Sequence, residues 1–171
     1  MVASLLASCT TFHPPSTTRH AASLTHFQFT GKIAIQTAET RESAMIHWVN
    51  KGADFQMTLY DITGMERFRL SYIDHHAIIK EANHPANTLS QLDQIWVKKL
   101  PYWVRGLPAP KWPILPVTAH TIHYMTVQHT ILPQKIRITS TATPLTITLV
   151  IHQWQIYRSP LEMRRLILRA V

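Results

Sequence analysis

The chain predicts an α+β fold, a largely antiparallel sheet interrupted by one helical excursion between residues 88 and 116. Three observations predict it. Apolar and polar residues alternate through most of the chain, the period of a strand with one buried face. Short turn signals separate these runs, which joins them as antiparallel neighbours. A single stretch, Thr88 to Lys99, switches to helical spacing. With 171 residues, one domain is the natural count, and 46% hydrophobic against 15% charged residues argues against disorder.

The elements follow in order. Leu6-Ala7-Ser8-Cys9 carries the small residues that a lipoprotein signal peptidase requires before a Cys. The stretch before Cys9 is short and lacks a basic start, so either the signal begins upstream or this is a small buried Cys in a frayed terminus. Residues 1–9 are thus read as a partial signal. Residues 10–25, with Pro14-Pro15 and little to bury until Leu24, read as a tether. The domain proper spans residues 26–156, and residues 157–171 form a basic extension.

Within the domain, Phe27, Phe29, Ile33 and Ile35 share one face of a first strand, with Gly31 on that face suggesting a bulge or bend. Ala44, Ile46 and Trp48 form a second strand, ended by Asn50-Lys51-Gly52. Phe55, Met57 and Leu59 make a third, and Phe68, Leu70 and Tyr72 a fourth. A fifth covers residues 76–82, where adjacent Ile78 and Ile79 leave its faces open. Between the third and fourth, Asp61 and Gly64 suit the first and fourth positions of a type I turn. Ile62 and Thr63 then form the tip, with Met65 just beyond. An apolar Ile62 there is either capped against the core or set to touch a nonpolar partner.

Asn87 or Thr88 can cap a helix through Lys99, on which Leu89, Leu92, Ile95 and Trp96 recur at helical spacing. Pro101 breaks it, and Leu100 to Pro116 reads as a short helix followed by irregular cover. Strands resume with Ile122 and Tyr124, then Ile136 and Ile138, then Leu145, Ile147, Leu149 and Ile151 on apolar faces. Ser159-Pro160-Leu161-Glu162 has capping-box spacing and opens a closing helical turn or two through Arg169. The apolar positions outnumber what so thin a helical cover would bury. A curved sheet around an apolar hollow follows, with a solid core as the alternative.

The chemistry-bearing residues form no engine. Four Gly residues make no phosphate loop, and one Cys excludes an internal disulfide and a multi-Cys zinc site. The 11 His residues lack ligand spacing, and the nine acids are dispersed. An enzyme has no positive support, and no cofactor or metal is expected. Charge is uneven: residues 1–93 hold 7 Lys/Arg against 8 Asp/Glu, and residues 94–171 hold 10 against one. A basic half points to an anionic partner or simply to solubility. Trp96, Trp103, Trp112, Tyr102 and Tyr124 lie in that half, but mostly at packing positions, which disfavours a nucleic-acid platform.

The run Leu100-Pro101-Tyr102-Trp103-Val104-Arg105-Gly106-Leu107-Pro108-Ala109-Pro110 resembles the outer-membrane lipoprotein receptor family LolB. Gly31 to Ile35, Ile46-His47-Trp48, Asp61 to Gly64, Leu132 to Ile136, the strand Leu145 to Ile151 and Trp154 extend the resemblance in order over about residues 20–156. The resemblance implies an incomplete barrel, a curved antiparallel sheet with helices covering its concave face. It implies a receptor, anchored through lipidated Cys9 to the periplasmic face of the outer membrane, that takes lipoproteins from a periplasmic carrier and inserts them into the inner leaflet. Acyl chains would bind against Phe29, Ile33, Ile46, Trp48, Phe55, Met57, Leu59, Phe68 and Leu70 on the sheet, and Leu92, Trp96 and Trp103 on the cover. Many members carry an exposed Leu in the delivery loop. Thr63 stands at that position, flanked by Ile62 and within reach of Met65. The protein is expected to act as a monomer. The competing reading is a non-enzymatic periplasmic binder of another lipid or apolar ligand.

Overall fold

A computed structural model describes residues 21–82, 87–88, 96–108, 117–140, 142–159 and 161–163. These contain the strands β1 (His26–Gln36), β2 (Arg41–Lys51), β3 (Asp54–Tyr60), β4 (Glu66–Ile73), β5 (His76–Glu81), β6 (Asn87–Thr88), β7 (Val117–Val127), β8 (Thr130–Ser140) and β9 (Thr146–Ile156), with the helix α1 at Leu100–Val104. All strands join one antiparallel sheet in the order β6-β5-β4-β3-β2-β1-β9-β8-β7. The chain winds outward from β1 to one edge, then returns through β7 and β8 so that β9 seats against β1. The sheet has two edges and does not close into a barrel.

One face carries the core. Phe27, Phe29, Ile33, Ile46, Trp48, Phe55, Leu70, Tyr72 and Ala77 from the first five strands pack with Leu132, Ile136, Leu149, Ile151 and Trp154 from the last two. Aromatic rings make a ladder across this face. Trp154 meets Phe29 at 5.0 Å, Phe29 stacks on Trp48 at 5.8 Å, Trp48 on Phe55 at 4.5 Å and Phe55 on Tyr72 at 5.6 Å. Such pairs add about 0.5–1.5 kcal/mol each beyond the area they bury. On β5, Ala77 is buried and Ile79 packs on the core while Ile78 faces out, which fixes the faces that adjacent isoleucines left open.

Gly31 marks a close approach. A Cβ there would lie 2.3 Å from the carbonyl oxygen of Val150 on β9. The register between β1 and β9 shifts at this point: Thr30 faces Gln153 while Gly31 faces Ile151, leaving His152 as an extra residue. The bulge therefore lies in β9, opposite the glycine. It reverses the alternation, so that Leu149 and Ile151 before it and Trp154 after it all face the core.

Several expectations are corrected. Asn87 and Thr88, expected at the start of a helix, pair through their backbone with Ile79 and Ile78 as a short strand, because a free sheet edge offers ladder partners; residues 89–95 of the expected helix lie outside the described residues. Ile122 and Tyr124 do not face the core. They are exposed, and Met125 and Val127 of the same strand turn inward instead. Ala21, expected in an unpacked tether, belongs to the core, and its carbonyl accepts the Leu24 N–H at 3.3 Å. Cys9 and Leu92 lie outside the described residues, as do Leu89, Ile95, Trp112 and Arg169.

Candidate functional site

Two features stand out on this scaffold, a cavity and a loop. The cavity has a volume of about 560 Å³ and opens where the segment Ala22–Thr25, the β2–β3 turn and the residues from Lys98 to Leu107 meet. Its apolar wall comes from Leu24, Phe55, Tyr72, Pro101 and Leu107, and Asn50, His75, Lys98, Lys99, Tyr102 and Arg105 add polar groups. The size lies within the roughly 300–1,000 Å³ of small-ligand sites.

Local chemistry builds this wall. Pro101 sits in the first turn of α1, where its missing N–H leaves no hydrogen bond unmade. Gly106, at φ 71°, ends the helix: its N–H donates to the Trp103 carbonyl at 2.9 Å, and the Leu107 N–H to the Tyr102 carbonyl at 2.9 Å. This pair of bonds is the Schellman arrangement, which needs a left-handed residue. It turns Leu107 back towards the cavity. Arg105 then fastens the wall, donating from Nε to the Pro101 carbonyl at 2.8 Å and from Nη1 to the Leu24 carbonyl at 2.9 Å. Burial pushes its pKa down, yet a guanidinium stays charged. The Thr25 carbonyl accepts from Asn50 Nδ2 at 2.9 Å and from the Gly52 N–H at 2.8 Å, which holds the other side.

The loop between β3 and β4 is organised by one carboxylate. Asp61 Oδ1 accepts from the N–H groups of Thr63 at 2.8 Å and Met65 at 3.0 Å, and from the Thr63 hydroxyl. Asp61 Oδ2 accepts from Arg67 Nε at 2.8 Å. The Gly64 N–H reaches the Asp61 carbonyl at 3.1 Å, the bond expected of a turn with Asp61 first and Gly64 fourth. These bonds, led by the Thr63 hydroxyl, hold the Asp61 carboxyl at about 2. Ile62 at the tip is 98% exposed and Met65 is 68% exposed. The tip residue is not capped against the core.

The residues expected to line an acyl site fall into three groups. Phe29, Ile33, Ile46, Trp48, Phe55 and Leu70 are buried in the core, and Phe55 also lines the cavity. Met57, Leu59 and Phe68 are half-buried and pack on the core. Trp96 meets the buried Trp103 edge-on at 6.2 Å. Periodicity missed most of the cavity wall. Leu24, Tyr102, Arg105 and Leu107 stand outside the alternating strands, where period two carries no signal, although three of them lie in the Leu100–Pro110 motif.

An open antiparallel sheet with one packed face, a cavity and an exposed apolar loop defines a class of proteins built on a large sheet that does not close into a barrel. The chain belongs to the LolB family: residues 25–154 match the model of the outer membrane lipoprotein LolB. It is 30% identical over 120 residues to the outer-membrane lipoprotein LolB of Aeromonas salmonicida, covering 61% of this chain and 62% of that protein. The Aeromonas hydrophila protein matches to the same extent, so the chain spans less than two thirds of either relative's length. With the Cellvibrio japonicus LolB it shares 28% over 175 residues, covering 84% of this chain and 85% of that protein. Among solved structures, a LolA superfamily protein from Nitrosomonas europaea superposes with a TM-score of 0.56 at 8% identity, over 82% of this chain and 90% of that one. That likeness concerns the fold.

Proposed function

We propose that this protein is a lipid-anchored receptor of the outer membrane, accepting lipoproteins from a periplasmic carrier and inserting them into the inner leaflet. Cys9 is the residue that would carry the anchor. The receptor acts as a monomer and performs no covalent chemistry on its cargo. Helices, α1 among them, would cover the concave face of the sheet.

The observation that carries this reading is Ile62, a branched apolar side chain 98% exposed at the tip of a loop tied by Asp61. Water disfavours that side chain, and burial in lipid is worth roughly 1.5–3 kcal/mol. A rigid loop presenting it suits contact with a membrane. The cavity supports the other half of the task, since each acyl methylene buried is worth about 0.8 kcal/mol. A partly apolar wall suffices to hold one chain during transfer. No nucleotide is needed, because a tenfold gain in affinity over the donor takes only about 1.4 kcal/mol.

The test is a reconstituted transfer reaction. An acylated lipoprotein on its carrier is mixed with this protein and with vesicles of outer-membrane lipid composition. Arrival of cargo in the vesicles, dependent on this protein, is the expected result. Folded protein that neither takes cargo from the carrier nor speeds its arrival overturns the reading.

A further inference from the structure

The cavity is apolar in its wall and cationic at its rim. Lys98, Lys99 and Arg105 all line it, and no Asp or Glu does. Among the described residues no carboxylate lies within 4 Å of any of the three. Lys99 is only 9% exposed. Removing a cation from water without an anionic partner is unfavourable, so proteins ordinarily pair such groups. The carbonyls of Pro101, Leu24 and Ala22 that receive the Arg105 N–H groups fix the guanidinium in position but leave its charge uncancelled. The Arg105 charge also lies over the Tyr102 ring, 5.2 Å from its centre, which keeps it against the cavity wall.

Positive charge without a carboxylate partner among the described residues, beside an apolar wall, has a specific chemical complement. An apolar ligand alone fills the wall and leaves the charges unpaired. A free anion pairs the charges and leaves the wall wet. A ligand with one apolar chain and one acidic head satisfies both. We propose that this cavity binds a single-chain anionic amphiphile, its chain against Leu24, Phe55, Tyr72 and Leu107 and its phosphate or carboxylate head among Lys98, Lys99 and Arg105. The inference rests on the reading that the cavity holds an acyl chain, and it adds the head group that the site selects. Such selection makes acidic lipids competitors of cargo for the same cavity.

The experiment compares probes of equal chain length below their micellar concentrations: dodecyl phosphate, dodecanoate and dodecyl maltoside, with inorganic phosphate as the chainless arm. The expected result is that dodecyl phosphate or dodecanoate binds at least tenfold more tightly than dodecyl maltoside at low salt, a difference of about 1.4 kcal/mol. That advantage should shrink in high salt. It should also fall several-fold in Lys99→Met, which keeps the buried stem, and in Lys98→Gln, at an exposed position where folding is undisturbed. Inorganic phosphate should fail to displace either acidic probe. Equal binding of acidic and neutral probes overturns the head-group inference while leaving the acyl-chain reading standing. Displacement by inorganic phosphate overturns it in favour of a chainless anion site. Failure of every probe overturns both readings.

Discussion

Arg67 Nε donates to Asp61 Oδ2 at 2.8 Å, and the other oxygen of the same carboxylate accepts the Thr63 and Met65 N–H groups. One side chain thus binds the loop to β4 and organises its tip from within. The Arg67 side chain is 64% exposed, so the ion pair itself is worth little. Its consequence is geometric: Ile62 is held outward with Met65 nearby.

The first prediction concerns that tip. Ile62→Glu with Met65→Glu should leave thermal stability within about 0.5 kcal/mol, as exposed substitutions generally do. Uptake of acylated cargo should persist, while release into vesicles should slow markedly. Unchanged delivery by the folded double variant would assign the loop to ordinary turn structure.

A second prediction follows from the Asp61 carboxyl, which the Thr63 hydroxyl, the Met65 and Thr63 N–H groups and Arg67 hold at about 2 against the opposing effect of burial. The folded value lies below the ordinary 3.8. Its contribution is therefore fully present above that pH and is lost as pH falls through about 2. The Thr63 amide resonance should titrate with a midpoint near 2, and Asp61→Asn should abolish the titration. A midpoint near the ordinary value would show that the carboxylate is not so bonded in solution.

Gly31 provides a third. A methyl group there would meet the Val150 carbonyl oxygen at 2.3 Å, and backbone on a neighbouring strand has little room to yield. Gly31→Ala should lower stability by about 1–3 kcal/mol or more, read from the urea midpoint. An unchanged midpoint would mean that β1 and β9 separate locally at the bulge without penalty.

Trp48 supplies the fourth. Its ring lies between Phe29 and Phe55 and is 1% exposed, while its indole N–H has no hydrogen-bond partner among the described residues. Trp48→Ala should reduce stability by about 3–5 kcal/mol. Trp48→Phe should recover most of that loss, because it keeps a stacking ring and removes an unsatisfied donor. Equal losses in chemical denaturation would indicate that the N–H is bonded in solution.

The sequence by itself determined what depends on neighbours in the chain. Phe27, Phe29 and Ile33 are buried on one face because strand alternation is a property of the backbone, independent of what packs on it. Ser159 acts as its spacing predicts: Ser159 Oγ accepts the Glu162 N–H at 3.2 Å, while Glu162 Oε2 reaches one residue further back than a capping box, to the Arg158 N–H at 2.8 Å. The Asp61–Gly64 turn is legible for the same reason. Tertiary structure decided the rest. Trp154 faces the core only because a bulge at His152 reverses the alternation after Ile151, and that bulge exists where β9 meets Gly31 of a strand 120 residues earlier. Asn87 and Thr88 pair through their backbone as strand because β5 leaves an edge to pair with. Arg105 becomes a clamp only when the segment before β1 comes to lie against α1. Backbone period and capping are local free energies written into a few consecutive residues. Which edges meet, and which charges are thereby taken from water, depends on surfaces that form only when distant segments pack.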